Sequence, residues 1–259
     1  MAELTIECPS GLQGRIRGLK GKDFRELDSA RTPDKANVAI AQILRNCWLE
    51  TLEPGPYASP DIRWDEALIG DRFFTLIQIR RATYPDEAYD FETTCTNPAC
   101  RKKMAASLEL DALEIKKLPE ESRAVFASGG NRFETQVNDG RKVWFKLMTG
   151  SDIKKQKQIQ DTIGPSARGI VLTLTSRILE VEGLKSKNAR DVFAFLDDLE
   201  FSEHRDLLDA FDRADCGVQT DINIECQWCG QVVEMQLPLG RRFFLPSKEK
   251  QSLLTSGAV

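Results

Sequence analysis

Histidine is almost missing from this sequence, and long apolar runs and an excess of basic residues are missing altogether. The one histidine among 259 residues, His204, is typical of a solvated or core position on a helix, so it supports no Ser/His/Asp set. No apolar run approaches the roughly 18–20 residues of a membrane span. The formal net charge of −4 leaves no overall basic surface for nucleic acid. These absences disfavour a hydrolase, a membrane protein and a general nucleic-acid-binding protein.

Targeting and nucleotide-binding motifs are also missing. Residues 1–7 contain neither a basic segment nor an apolar one, so we expect no secretory signal. Neither Gly129-Gly130 nor Gly164-Pro165 follows a strand with the spacing of a phosphate-binding loop. The hydrophobic content of 41% and charged content of 29% are typical of a globular chain. We therefore expect no small-molecule substrate and no nucleotide.

Two closely spaced cysteine pairs, Cys95/Cys100 and Cys226/Cys229, are the most informative motifs present. Apolar residues alternate on both sides of each pair, which predicts a β-hairpin with the pair at its turn. Two thiolates a few residues apart can bind one side of a tetrahedral metal, and Zn²⁺ is the usual occupant of a four-thiolate site. The sequence therefore predicts one zinc site formed by all four cysteines.

Two other interpretations of the four cysteines stay open: two disulfides, or thiols without a metal. Disulfides need an oxidising compartment, which the expected lack of a secretory signal disfavours. A closed four-cysteine site is structural, because catalytic zinc keeps an open coordination position for water. The three remaining cysteines, Cys8, Cys47 and Cys216, are predicted to be core residues of an intracellular protein.

The order of the predicted elements indicates an α+β fold with internal duplication. Each half reads as a hairpin, then helices, then a cysteine hairpin. Predicted helices include an amphipathic one through Trp48, one from Ile69, one from Pro165 and others capped by Asn188 and Ser202. The predicted boundaries are 1–115 for the first half, 116–131 for a connector, 132–246 for the second half and 247–259 for a polar tail.

Residue spacings carry the prediction of duplication. The interval from Cys95 to Cys226 is nearly the same as the interval from Leu19 to Leu147. Asp23-Phe24 pairs with Asp152-Ile153, and the helical segment from Arg72 is similar to the segment from Arg205. A shared order of elements can also arise by chance. If each half supplies two thiolates, the zinc lies near a pseudo-twofold axis and joins the halves.

Three segments are candidates for binding other molecules. The basic run Arg101-Lys102-Lys103 directly follows Cys100 and could bind phosphate, although the second cysteine pair lacks matching charge. Trp228, between two predicted ligands, is either an exposed contact residue or packs over the metal site. Phe243 and Phe244 lie in a short non-periodic segment and dock either on the chain's own core or on a partner.

A resemblance to a known family is carried by residues 69–80, by Phe91 with Cys95 and Cys100, by residues 224–230 and by residues 237–246. This combination of an Asp-Arg helix, a strand and cysteine pairs resembles the T-even-type baseplate hub and tail assembly family of contractile-tailed phages. The resemblance covers residues 62–110 and 188–246. It implies a non-enzymatic protein of the virion tail baseplate, or a factor present in the host cytoplasm during assembly, whose four cysteines form a structural metal site.

Three functional hypotheses follow. The first is a structural or assembly protein that contacts other tail and baseplate proteins. The second is a zinc-knuckle nucleic-acid-binding protein, which the acidic balance disfavours. The third is a zinc-dependent enzyme, which would need an open coordination position that four cysteines do not leave.

Overall fold

The computed structural model describes residues 3–23, 25, 32–164, 168–238 and 241–244, in which helices and strands are mixed along the chain. The strands form small antiparallel sheets, so the α+β class is confirmed. In chain order the strands are β1 Glu3–Glu7, β2 Gln13–Arg17, β3 Trp48–Glu53, β4 Tyr89–Thr94, β5 Lys103–Leu108, β6 Ile115–Lys116, β7 Phe133–Gln136, β8 Lys142–Phe145, β9 Ile178–Val181, β10 Gly217–Val218, β11 Asp221–Glu225 and β12 Val232–Gln236. The helices are α1 Pro33–Cys47, α2 Ile69–Thr83, α3 Glu120–Ala127, α4 Gly150–Ile163, α5 Gly169–Arg177, α6 Ala189–Asp197, α7 Phe201–Ala214 and α8 Arg241–Phe244.

The first sheet has the order β1-β2-β3. Strands β1 and β2 form the predicted N-terminal hairpin, and β3 pairs with the other edge of β2. Helix α1 ends at Cys47 and β3 begins at the next residue, Trp48. The prediction that the helix includes Trp48 was therefore wrong, because the chain passes from helix to strand with no loop between them.

The second sheet has the order β7-β8-β9 and contains the predicted hairpin at residues 133–147. Strand β9 begins at Ile178, directly after α5 ends at Arg177. The prediction that placed Ile178 on the face of a helix was wrong for the same reason as at Trp48. Helix α6 has Asn188 as its N-cap, as predicted, whereas α7 is capped by Glu200 rather than by Ser202.

The two three-stranded sheets have the same pairing register as well as the same strand order. Leu4 lies opposite Ile16 in the first hairpin, and Phe133 lies opposite Phe145 in the second, so one constant interval along the chain relates the two hairpins. The interval from β3 to β9 is slightly longer than the interval between the two hairpins. A single insertion in the helical segment that connects β8 to β9 explains the difference. Both central strands also have a register shift immediately before Ile16 or Phe145.

A buried aspartate follows each of these hairpins, and the same interval that relates the hairpins separates Asp23 from Asp152. Asp23 accepts a hydrogen bond from the Arg17 guanidinium at 2.8 Å and one from the backbone N–H three residues earlier. Asp152 accepts a hydrogen bond from the Lys146 amine at 2.5 Å and one from the backbone N–H three residues earlier. Each carboxylate therefore links the chain that follows a hairpin to the end of a central strand.

A second pair of acids fixes helices α2 and α7 to the hairpin turns. Asp71, in the first turn of α2, accepts the backbone N–H of Ser10 at 3.0 Å, the Ser10 hydroxyl, and the Tyr57 hydroxyl at 2.6 Å. Glu203, in the first turn of α7, accepts the backbone N–H of Asn138 at 3.0 Å. The two acids perform the same task, but Asp71 is completely buried and Glu203 is 9% exposed.

The two main hydrophobic cores do not follow the boundary between the halves. The first core combines β1, β2, α1 and α2 with Leu237, Phe243 and Phe244 from the end of the described chain. The second core contains the residues of β7–β9 and α5–α7 together with Leu68 from the first half and Leu118 from the connector. The halves are therefore interlocked, and we do not expect either to fold alone as it does here.

Helix α8 lies in the first core. The side chains of Phe243 and Phe244 are 0% and 3% exposed. The guanidinium of Arg80, itself 1% exposed, donates a hydrogen bond to the Phe243 carbonyl at 2.6 Å and lies over the Tyr89 and Phe243 rings. These contacts attach the end of the described chain to α2.

The segment 116–131, predicted as a polar connector, contains α3 and the end of β6. Strand β6 pairs with β10 just before the second cysteine hairpin, so the connector also joins the halves through backbone hydrogen bonds. The predictions at Pro165 and Phe24, and the polar tail from 247, lie outside the described residues. No helix in the described ranges is long and apolar enough to cross a membrane.

Candidate metal centre

Two hairpins carry the four cysteines of the predicted site. Cys95 follows β4 and Cys100 lies in the turn before β5, while Cys226 follows β11 and Cys229 lies in the turn before β12. The last paired residues are Thr94 opposite Lys103 in one hairpin and Glu225 opposite Val232 in the other. Both cysteine pairs therefore lie at the predicted strand-to-turn positions.

The structure brings the four sulfur atoms into one cluster. All four Sγ atoms lie within 4.8 Å of one another. The closest contacts join the two hairpins: Cys95 Sγ lies 3.7 Å from Cys229 Sγ, and Cys100 Sγ lies 3.9 Å from Cys226 Sγ. All seven cysteines of the chain are free thiols in this structure.

These distances fit a tetrahedral thiolate site. Four sulfurs placed about 2.3 Å from one zinc ion stand about 3.8 Å apart along each edge of the tetrahedron. The two contacts between the hairpins match that edge, and the remaining separations exceed it by at most about an ångström. The donor set, four sulfurs with no carboxylate or imidazole, is the one that suits zinc in a closed structural site.

The backbone of both turns supports the cluster in the same way. Cys95 N–H donates to the Lys102 carbonyl at 3.0 Å, and Cys226 N–H donates to the Gln231 carbonyl at 2.9 Å. The side-chain amide of Asn97 donates to Cys229 Sγ at 3.8 Å, so the first turn also contacts a sulfur of the second. Beneath the sulfurs, a small apolar cluster of Met104, Val233 and Ile224 excludes water from one side.

The thiols of the cluster differ in acidity. Burial raises the pKa of Cys95 to about 12, and hydrogen bonds with the neighbouring sulfurs act in the same direction. Burial also acts to raise the pKa of Cys226, but the backbone N–H groups of Trp228 and Cys229 outweigh it and lower the pKa to about 7. Cys226 therefore ionises at a lower pH than Cys95. Because metals bind thiolates, metal affinity is expected to rise with pH.

The residue after the second cysteine of each pair has a left-handed backbone. Arg101 has φ of 46° and Gly230 has φ of 70°. Glycine adopts this conformation freely, whereas a residue with a Cβ is disfavoured there by about 1 kcal/mol. Arg101 is the one non-glycine residue with positive φ in the described parts of the chain. One signal of this strain is present in the sequence, because aligning Cys100 with Cys229 places Arg101 opposite Gly230.

Trp228 lies on the surface rather than over the sulfurs. Its side chain is 56% exposed, and the Lys102 Nζ atom lies 4.4 Å from the centre of its ring. Of the two positions that the sequence left open, the structure places Trp228 in the exposed one. Contact of Trp228 with a partner protein stays a prediction.

Phe243 and Phe244, also predicted as partner contacts, pack against the chain's own core. Contact of these two side chains with a partner would require α8 to leave that core, and it stays a prediction. His204 is 8% exposed, and its Nε2 atom lies 2.6 Å from the Leu196 carbonyl. It is therefore a hydrogen-bonded core histidine, outside the cysteine hairpins.

The three cysteines outside the pairs, Cys8, Cys47 and Cys216, are 2%, 0% and 7% exposed, as predicted for core residues. Burial raises the pKa of Cys47 to about 12 and moves those of the other two thiols in the same direction. These thiols are therefore protonated near neutral pH and unreactive.

Comparison with known proteins gives one match over nearly the whole chain. The family model described as T4 bacteriophage base plate protein matches residues 1–245. No curated protein and no solved structure matches the chain. The matched range includes both cysteine hairpins and every described element.

Proposed function

This chain belongs to the T4 bacteriophage base plate protein family, and we propose that it is a non-enzymatic structural or assembly protein of a contractile phage tail baseplate, or of a related injection machine. In this role it acts as a rigid adaptor between other baseplate and hub proteins. One observation carries the proposal: the family match includes two distant cysteine hairpins that converge on a single four-sulfur cluster. A site of this kind stabilises a shape and leaves no coordination position for a substrate.

The proposed occupant of the cluster is one structural zinc ion, held by Cys95, Cys100, Cys226 and Cys229. Support comes from the sulfur-to-sulfur distances of 3.7 and 3.9 Å and from the purely thiol donor set. Bound zinc would fix the two hairpins to each other, and nothing else in the described chain pairs their strands together.

We further propose that the two halves descend from the duplication of one unit about half as long as the present chain. The constant interval between the hairpins β1-β2 and β7-β8 supports this, as do the matched register shifts in β2 and β8. The acids Asp23 and Asp152, which follow these hairpins at the same interval, support it independently. Agreement at the level of individual residue pairs supports duplication more strongly than a shared order of elements does.

The proposed location is the tail baseplate of the virion, or the host cytoplasm while the baseplate is assembled. Proposed partners are other tail proteins, with Trp228 at the contact surface because its side chain is 56% exposed. Nucleic-acid binding is the alternative, and the cations next to Trp228 are the observation in its favour. The net charge of −4 opposes it.

Complementation in the producing cells tests the proposal. We expect cells that lack this protein to accumulate incomplete tails without baseplates, visible by electron microscopy. The wild-type gene should restore complete tails, and Cys226→Ser should not. The Phe201→Ala variant, which changes a side chain that is 72% exposed and lies outside the hairpins, is the matched control and should restore them. Normal tails in the deletion strain would contradict the proposed function.

A further inference from the structure

Three consecutive cations occupy the tip of the first cysteine hairpin. Arg101, Lys102 and Lys103 are all exposed, and none forms a salt bridge within the described part of the chain. By contrast, the exposed Arg15 on β2 pairs with Glu50 on β3. The two cysteine turns, residues 93–104 and 226–233, contain no acidic residue. No carboxylate in these turns neutralises the positive charge, so the only anionic groups within them are the thiolates that would bind the metal.

The backbone at the tip is unfavourable for one of these cations, Arg101. Arg101 occupies a left-handed position at which the second hairpin has Gly230. Glycine at that position would remove the strain without changing the turn. A strained residue that persists where an unstrained one is available is typical of a functional site.

Trp228 from the other hairpin completes the surface. Its ring lies under the Lys102 amine, which holds a large apolar face beside the positive charges. Exposed tryptophan flanked by cations is typical of a residue that is buried on binding. We name the four residues Arg101, Lys102, Lys103 and Trp228 the basic tip.

Two observations favour a protein segment over nucleic acid as the occupant of the basic tip. The patch is short, and the outward faces of both hairpins below it carry exposed acids. A phosphate backbone that continued beyond the tip would be repelled by these acids, whereas a short acidic peptide segment would end at them. The acids are Asp90, Glu92, Asp221, Glu225 and Glu234.

We propose that the basic tip binds an acidic segment of a partner protein. This inference rests on the proposed function. It assumes that the chain is a baseplate adaptor and adds the chemistry of the partner bound beside the metal centre. The Lys102 amine lies over the Trp228 ring. A carboxylate of the partner could therefore pair with this amine while the rest of the partner segment packs on the ring. The second hairpin contributes the aromatic face and the first contributes the charge, so the complete surface requires both.

Binding of a defined acidic probe tests the proposal. The zinc-loaded full chain is titrated against fluorescently labelled poly-L-glutamate and, separately, against labelled oligo(dT), with fluorescence anisotropy as the readout. We expect poly-L-glutamate to bind more tightly than oligo(dT). Joint replacement Lys102→Glu and Lys103→Glu should weaken poly-L-glutamate binding by about tenfold or more, because two attractive contacts become repulsive.

Two further variants separate binding from folding. Trp228→Ala should weaken poly-L-glutamate binding with no loss of zinc. Arg101→Gly should weaken binding while leaving the melting temperature unchanged or higher, because it removes backbone strain together with the charge. The matched control is the joint replacement Lys154→Glu and Lys185→Glu, which changes two exposed lysines outside the hairpins and should leave binding largely unchanged.

Four results would overturn the proposal. These are no binding of poly-L-glutamate by the wild-type chain, tighter binding of oligo(dT), equal weakening in the control variant, and loss of zinc from the basic-tip variants. The last would mean that the cations balance the charge of the metal centre instead. None of these results bears on tail complementation by the wild-type gene, so failure of the basic tip is distinguishable from failure of the proposed function.

Discussion

The two halves of this chain agree closely in their sheets and differ at their cysteine turns. Hairpins β1-β2 and β7-β8 have the same register, and each is followed by a buried aspartate that binds a cation from the end of the central strand. The turn at Cys95 has four residues between its cysteines and three cations after them, whereas the turn at Cys226 has two residues between its cysteines and a glycine after them.

This contrast distinguishes the hairpin backbone, which positions the four sulfurs, from the exposed turn residues around them. The strands that deliver the sulfurs have the same register in both hairpins, since the backbone N–H of Cys95 and that of Cys226 bond to equivalent carbonyls. The turns differ in the number of residues between the ligands and in the charge of the residues after them. The requirement to place four sulfurs within 4.8 Å of one another accounts for the shared backbone pairing, whereas it does not constrain the exposed residues of the turns in the same way.

The largest expected effect comes from removing one metal ligand, which breaks the connection between the halves. Cys226→Ser should lower the free energy of unfolding by about 5 kcal/mol or more, because structural zinc contributes roughly 10–16 kcal/mol to small domains. Hydrogen exchange should increase in both cysteine hairpins. The control Cys47→Ser, at a buried thiol outside the cluster, should retain zinc and cost about 1–3 kcal/mol. Increased exchange or proteolysis confined to residues 215–240 would contradict a shared site.

The next effect concerns the end of the described chain, which the first half uses as part of its core. Phe243→Ala should destabilise the protein by about 4 kcal/mol, because a fully buried ring is replaced by a cavity. Phe201→Ala, at an exposed ring, should change stability by less than about 0.5 kcal/mol. Thermal denaturation measures both. A stable Phe243→Ala variant that fails to assemble tails would instead place this side chain at a partner.

The acids in the first turns of α2 and α7, Asp71 and Glu203, are expected to contribute unequally to the free energy of unfolding. Asp71→Ala should cost about 3 kcal/mol, because it leaves the buried Ser10 and Tyr57 groups without their acceptor. Glu203→Ala should cost about 1 kcal/mol, because this side chain is less completely buried and has fewer partners. Chemical denaturation of the two variants tests the order. Equal costs would mean that the additional contacts of Asp71 contribute nothing.

The two aspartates that follow the hairpins, Asp23 and Asp152, are expected to contribute equally to stability. Burial acts to raise the pKa of Asp23 and Asp152, but hydrogen bonds from Arg17 and Lys146 outweigh it and lower both values. Each carboxylate therefore stabilises the fold above the unfolded-state pKa of about 3.9, and this stabilisation is lost as the pH falls through the lower folded-state value.

We expect Asp23→Asn and Asp152→Asn to destabilise the protein by similar amounts, about 2 kcal/mol each at neutral pH. Each variant should also show a weaker loss of stability below about pH 4 than the wild-type chain. Urea denaturation at several pH values measures both effects. A cost more than about twice as large at one site as at the other would show that the two halves have diverged in their framework as well.

The sequence was sufficient to predict the cysteine cluster and most hairpins because both depend on local patterns. Spacing identified the four cysteines, and alternation identified the strands that carry them. Strands β3 and β9 were missed because Trp48 and Ile178 continue the helical spacing of the preceding residues, and no turn residue separates helix from strand. Helix α3 was missed because its eight residues, half of them polar, are too few to show periodicity.

Features that depend on contacts between distant segments were beyond sequence reasoning. The sequence did not decide whether Phe243 and Phe244 dock on the chain's own core or on a partner, because hydrophobicity does not identify which surface a side chain covers. The comparison of Arg72 with Arg205 differs by one residue from the structural correspondence, in which Asp71 matches Glu203 and Arg72 matches His204. Only the hydrogen bonds to the hairpin turns establish that alignment.

Metal stoichiometry of the intact chain tests the central claim most directly. A native mass spectrum of the full-length protein, purified without added metal or chelator, should show one zinc ion per chain. The Cys95→Ser and Cys226→Ser variants should each lose that ion, because either hairpin alone supplies only two sulfurs. A wild-type chain without metal, or variants that each keep one zinc, would contradict a single site shared by the two halves.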